Sequence, residues 1–159
     1  MIFYKIIGSG ILLLSGAIGA SVFNKALAET KEQSDALAEL VRYVRWQIEC
    51  FSMPISSVFA HAERELLLRC GYKKNIPAKD FKSFLEDIEI FDSATERTLS
   101  ELSQSFGNCY KEEQIRACDR CIAELEERRG ELSDEIPKRK KINTTLFISG
   151  ALGVAIILI

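Results

Sequence analysis

The chain has 159 residues, of which 47% are hydrophobic and 28% charged, and its net charge is −2. A charge so close to zero argues against nucleic acid as a partner. The five cysteines are odd in number and lack the spacing of a disulfide scaffold, which indicates a reducing compartment.

The chain begins with an apolar run at residues 6–23, IIGSGILLLSGAIGASVF, which carries no charge. An α-helix needs roughly 20 such residues to cross a bilayer core. Residues 1–23 are therefore predicted to form a transmembrane helix. Ser15 and Gly19, and Gly16 and Ala20, have the small-xxx-small spacing that lets membrane helices approach closely. This spacing predicts helix pairing within the chain or between copies, although glycine is common in membrane helices in any case.

The N-terminal run has a second interpretation as a cleaved signal peptide, because Ala26-Leu27-Ala28 resembles a cleavage site. Cleavage would place the following residues outside the cell. Two basic residues that follow the run, Lys25 and Lys31, instead favour a cytoplasmic position for the segment after it. We therefore expect an uncleaved helix, with an extracytoplasmic N-terminus.

The middle segment, residues 24–141, is long enough for one domain and is predicted to be helical almost throughout. The first helix should continue from the membrane to Ser52-Met53-Pro54. Its apolar face recurs at three- and four-residue steps, with Leu37, Leu40, Val41, Val44, Ile48 and Phe51. A second helix, opened by Pro54 and ended by Gly71, should bury Ile55, Val58, Phe59, Ala62 and Leu66.

Three more helices are predicted before the C-terminal run. The third opens at Ile76-Pro77 and carries Phe81, Phe84, Leu85, Ile88 and Phe91. The fourth starts at Ser93, which has capping-box spacing to Glu96, and buries Leu99, Leu102 and Phe106. The fifth carries Ile115, Cys118, Ile122, Leu125, Leu132 and Ile136, and Pro137 should kink or stop it. Short linkers predict an all-α fold, a compact antiparallel bundle between two terminal membrane helices.

The C-terminal run, residues 142–159, is the second predicted transmembrane helix, and Gly150 and Gly153 add small residues to it. Four basic residues precede it: Lys138, Arg139, Lys140 and Lys141. By the positive-inside rule they place the middle domain in the cytoplasm and both termini outside it.

Few residues suggest chemistry. His61 is the only histidine and has no partner for a zinc-protease motif, so we expect a surface or half-buried helical residue. Cys118-Asp-Arg-Cys121 could hold half of a zinc site, with Cys109 as a third ligand, or act in redox chemistry. Plain reduced cysteines are the simpler interpretation. No pair of residues indicates general acid–base catalysis, so the expectation is a protein without catalytic residues, cofactor or metal.

Two short motifs resemble those of the stage III sporulation protein AB family. A family stretch E-I-x-Y-G-x-T-P-L corresponds to residues 47–55, where Ile48 and Pro54 match and Phe51 replaces the usual glycine, so the local turn is expected to differ. A second stretch, L-G-x-x-D-x-x-x-Q, corresponds to residues 106–114, where Gly107 and Gln114 keep the spacing. Tyr110 stands in place of the aspartate, whose role therefore cannot be carried over. The glycine-containing tail is also similar.

The resemblance implies a domain similar to the cytoplasmic domains of type II secretion F proteins. It implies a non-enzymatic membrane platform for the channel between mother cell and forespore, located in the mother-cell membrane around the forespore. Expected partners are the lipid bilayer, other channel proteins, the cytoplasmic ATPase of that machinery and other copies of the chain. The alternative is a metal or redox sensor that uses Cys118 and Cys121.

Overall fold

A computed structural model describes the backbone of residues 2–106 and 110–158, and the side chains of residues 18–106, 110–150, 152 and 153. The described residues form helices and no strands, which confirms the all-α prediction. The helices are α1 (Ile2–Phe51), α2 (Ile55–His61), α3 (Arg64–Arg69), α4 (Phe81–Glu86), α5 (Ser93–Ser105) and α6 (Lys111–Leu158).

The chain divides into two compact units. Unit 1 combines residues 1–29 with residues 132–159, and unit 2 consists of residues 30–131. Unit 1 thus holds the beginning of α1 and the end of α6, which contain the two apolar runs.

Among the residues that the structure describes, no helix is long and apolar enough to cross a membrane. The described residues therefore give no support to the prediction of two terminal transmembrane helices. Most of the N-terminal run and the end of the tail lie outside the described side chains.

Unit 1 contains a close contact between its two helical segments. A Cβ atom on Gly19 would lie 2.9 Å from Cε1 of Phe147, and the neighbouring Ala20 is buried. Gly150 and Gly153 have open space around them instead, because a Cβ atom added to either would meet nothing within 4 Å. The side chains of Ser15 and Gly16 lie outside the described residues.

The basic residues before the tail lie inside α6, and the helix runs through Pro137. Of the two predicted effects of Pro137, a kink or a stop, the stop is therefore wrong. Lys138, Arg139 and Lys141 are exposed and Lys140 is half-buried. Arg139 forms an ion pair with Glu135 one turn earlier, at 2.9 Å.

The core of unit 2 is built on one face of α1. Its helical spacing places Leu37, Leu40, Val41, Val44 and Ile48 against the other helices, as the periodicity predicts, while Phe51 is exposed. An aromatic cluster from α2, α4 and the segment between α3 and α4 fills the middle. Its rings, spaced 5.1 to 6.1 Å apart, are Phe59, Tyr72, Phe81 and Phe84.

The predicted second helix is wrong in its length, because it is two helices. Ala62 and Glu63 have extended backbones (ψ 142° and 130°) and separate α2 from α3. Phe59 of α2 and Leu67 of α3 are both buried in the core on either side of this break. The predicted end at Gly71 is correct, since this residue has φ +98°.

One helix start and one helix cap differ from prediction. Helix α4 begins at Phe81 rather than at Pro77, because the Asp80 carboxylate accepts hydrogen bonds from the Ser83 N–H and hydroxyl. Helix α5 begins at Ser93 as predicted, but its cap is the preceding Asp92, which accepts from the Thr95 N–H at 2.9 Å. Phe91, predicted on the apolar stripe of the third helix, is exposed.

The buried amide of Gln33 links α1 to two irregular segments. It donates to the carbonyls of Cys70 (3.2 Å) and Glu89 (2.6 Å) and accepts from the Phe91 N–H (3.0 Å). These bonds satisfy backbone groups that no helix pairs, so Gln33 holds both connections against α1.

Candidate functional site

The turn after α1 carries the first sequence motif. Helix α1 continues through Phe51, and the left-handed position falls on Ser52, with φ +49°. Lys111, the first residue of α6, donates from Nζ to the Glu49 carbonyl (2.8 Å) and to the Ser52 hydroxyl (2.9 Å). These contacts tie the turn to the start of α6. Phe51 therefore does not need the conformation that a glycine would permit, because the next residue adopts it.

The two sequence motifs meet at one groove of unit 2, which we call the motif groove. Pro54 from the first motif and Gln114 from the second both line it, and its volume is about 480 Å³. The lining comes from the α1–α2 turn, the start of α4, the end of α5 and the first turns of α6. The full set is Met53, Pro54, Ile55, Asp80, Phe81, Lys82, Ser103, Phe106 and Gln114.

Aromatic rings form one wall of the motif groove. The rings of Phe81 and Phe106 pack edge to face, with centroids 5.2 Å apart and an interplanar angle of 66°. Phe81 is buried and Phe106 half-buried, so an apolar surface remains open towards the groove. Such a surface suits an inserted apolar side chain.

The polar groups of the motif groove are already engaged within the chain. Hydrogen bonds from the Ser83 N–H and hydroxyl hold the pKa of the Asp80 carboxyl below its usual value. Lys82 lies 3.9 Å from Glu86, and the Ser103 hydroxyl donates to the Ser100 carbonyl. These groups shape the rim of the groove and serve local structure.

The four motif positions lie in different parts of the structure. Pro54 and Gln114 line the groove, and Ile48 is buried in the core beneath the turn. Gly107 lies outside the described residues. Tyr110, which replaces the family's aspartate, is 85% exposed. Sequence reasoning placed Phe81 and Phe106 in the core but missed that they border a groove, because their meeting depends on contacts between distant segments.

The cysteines are poorly placed for metal or redox chemistry. Cys118 and Cys121 are both buried, and burial raises the pKa of each thiol to about 12. Thiolates are the reactive and metal-binding form, so these two remain protonated at neutral pH. Within the described part of the chain, no three candidate ligands cluster. Cys109 lies outside it. His61 is exposed, as predicted, with Nδ1 2.8 Å from the Ser57 carbonyl oxygen.

Comparison with protein families identifies a related family. The family model of stage III sporulation protein AB matches residues 79–159. The match covers α4, α5 and α6, and with them the second motif and one side of the motif groove, but not Ile48 or Pro54. Comparisons with curated proteins and with solved structures find no significant match. Because the family model spans just over half of its residues, the chain belongs to the stage III sporulation protein AB family.

Proposed function

We propose that this chain is a non-enzymatic, membrane-anchored assembly component of the channel between mother cell and forespore. Its family membership supports a role in sporulation. The observation that carries the finer proposal is the motif groove, where both family-like motifs present an apolar surface whose polar groups are already bonded internally. A surface of this kind is suited to binding a protein segment rather than to chemistry. Proposed partners are other channel proteins, including the cytoplasmic ATPase.

The membrane part of this proposal rests on the sequence of the two apolar runs and on the surface of unit 1. Several described side chains that face outward in its apolar runs are large and apolar, with Ile18, Val22 and Leu146 each more than 60% exposed. Exposed apolar patches of this kind indicate a surface covered by lipid or by another protein. We propose that lipid covers it, with the basic residues 138–141 holding unit 2 on the cytoplasmic side.

The primary test is an in-frame deletion in the native host, with a complemented control. We expect the count of heat-resistant spores to fall by several orders of magnitude and to return with the intact gene. A normal count in the deletion strain would overturn the proposed role.

Topology has its own test. Cys50 is exposed at the end of α1. An impermeant maleimide should leave it unlabelled in intact cells and label it after the membrane is opened. Labelling in intact cells would place unit 2 outside the cytoplasm and refute the proposed orientation.

Pairing of the two terminal helices can be tested with matched glycine variants. Gly19→Leu would drive its side chain into the Phe147 ring, whereas Gly150→Leu meets open space. We expect only the Gly19 variant to reduce spore formation and to lower the thermal stability of the chain in detergent. Equal effects of the two substitutions would show that the contact with Phe147 is not important.

A further inference from the structure

Arg116 and Arg120 of unit 2 differ from the other arginines of the chain in their hydrogen bonds and ion pairs. The sequence contains ten arginines, and eight of them contact a carboxylate, a carbonyl or an amide oxygen. For Arg116 and Arg120, the described part of the chain provides neither a hydrogen bond nor an ion pair. Both side chains are exposed on α6.

The two arginines line one groove. They are four residues apart, so they lie about one turn from each other on the same helix face. The groove has a volume of about 710 Å³, and we call it the arginine groove. Its lining is Ser105, Glu113, Arg116, Ala117, Asp119 and Arg120. Ala117 is buried, which gives the groove a small apolar floor close to the helix backbone.

Three charged side chains of the arginine groove have no ion pair within the described residues, and two of them are the arginines. The carboxylate of Asp119 is engaged from outside the groove, because Arg45 Nε donates to it at 2.5 Å while Arg45 Nη1 pairs with Glu49 at 2.6 Å. Glu113 is then the one carboxylate in the lining that opposes the two guanidinium groups. A guanidinium group presents a planar fork of N–H donors that matches the two oxygens of a carboxylate. The groove therefore offers two carboxylate-binding positions spaced by one helical turn.

The surroundings favour protein carboxylates over phosphates. Glu101 and Glu124 line the adjoining cavity along α5 and α6, and the chain as a whole carries a net charge of −2. A polyphosphate or nucleic acid would bring many negative charges close to these residues, whereas a protein segment can place two carboxylates at the arginines alone.

We propose that the arginine groove is a docking surface for an acidic helical segment of a partner protein, with two carboxylates one turn apart that bind Arg116 and Arg120. This inference goes beyond the proposed function because it gives the chemistry of one partner. It does not need the sporulation role, since it concerns binding to the purified chain.

The test uses the full chain in a non-ionic detergent and a fluorescent, alanine-based helical peptide of about 16 residues, long enough to form a helix. One peptide carries two glutamates four residues apart, a second carries glutamines and a third carries lysines at those positions. Fluorescence anisotropy at low salt measures binding. The charge-reversed variant is Arg116→Glu with Arg120→Glu. The control, Lys73→Glu with Lys79→Glu, makes the same change in net charge at exposed residues outside the groove.

We expect the glutamate peptide to bind the native chain. Its binding to the charge-reversed variant should be about tenfold weaker, which corresponds to the loss of two exposed ion pairs. The lysine peptide should bind the charge-reversed variant instead, because the positive charges are then on the peptide and the negative charges on the chain. The proposal is overturned if the glutamine peptide binds equally well, if the lysine control weakens binding as much, or if the exchanged pair fails to bind. Competition by tripolyphosphate at lower concentration than the glutamate peptide would assign the surface to phosphates and also overturn it. Normal sporulation of a deletion strain would leave the binding result standing, so the two proposals fail separately.

Discussion

We expect Asp92→Asn to destabilise unit 2 strongly at neutral pH while leaving the cap of α5 in place. The Asp92 carboxylate accepts from the Thr95 N–H and also receives Arg128 Nε (3.1 Å) and Nη2 (2.8 Å). Both partners are shielded, with side-chain exposures of 11% for Asp92 and 22% for Arg128. Asparagine caps helices about as well as aspartate, so the substitution removes mainly the charge pair.

The magnitude follows from the ionisation of Asp92. Hydrogen bonds from Arg128, together with those from Thr95, lower the pKa of this carboxyl from 3.8 to about 2 against the opposing effect of burial. A shift of that size corresponds to about 2 kcal/mol of stability. Because the folded pKa is the lower one, this stability is complete above about pH 5 and is lost as the pH falls towards 2.

The assay is urea unfolding followed by far-ultraviolet circular dichroism at several pH values. Asp92→Asn should lower the free energy of unfolding by about 2 kcal/mol at pH 7 and by little near pH 2. Asp92→Ala should lower it by about 1 kcal/mol more, because alanine cannot cap α5. The control is Arg97→Met, which breaks an ion pair with Glu101 whose side chains are 83% and 59% exposed. This control should change stability by less than about 0.5 kcal/mol. Equal stability of Asp92→Asn and the native chain at pH 7 would refute the reasoning.

Two further predictions concern a backbone conformation and the thiols. Gly71→Ala should lose roughly 1–2 kcal/mol in the same unfolding assay, because φ is +98° there. Gly130→Ala, in α6 with open space around it, should raise the free energy of unfolding by about 0.5–1 kcal/mol. Stability changes of the same sign for the two substitutions would contradict this prediction. With a thiol reagent at pH 8, peptide mass spectrometry should find Cys50 modified in the native protein and Cys118 and Cys121 unmodified, since burial holds the pKa of both near 12. Modification of Cys118 as fast as that of Cys50 would show that its thiol is accessible.

Helices whose apolar spacing is local could be predicted from the sequence. The stripe of α1 from Leu37 to Ile48 is regular, and the structure buries it as expected. The start of α4 was less predictable, because Asp80 caps it through side-chain bonds to Ser83, three positions later. The cap of α5 falls on Asp92, one residue before the predicted capping residue Ser93. The break at Ala62 has no glycine or proline to mark it in the sequence.

The candidate sites depend on contacts between distant parts of the chain, which a single sequence does not reveal. Pro54 and Gln114 could be identified as motif positions, but not as neighbours of one groove. The sequence shows that Arg116 and Arg120 lie one helical turn apart. Their lack of an acidic partner among the described residues depends on where the carboxylates of other helices lie in the fold.

The edge-to-face pair of Trp46 and Phe51, with ring centroids 5.1 Å apart, lies at the end of α1. Trp46 is the single tryptophan of the chain and is 49% exposed, outside the aromatic core. Its fluorescence therefore reports on the end of α1 rather than on core packing. A partner that covers this end should shift the emission to shorter wavelength, so the native protein carries an optical signal for docking without any added label.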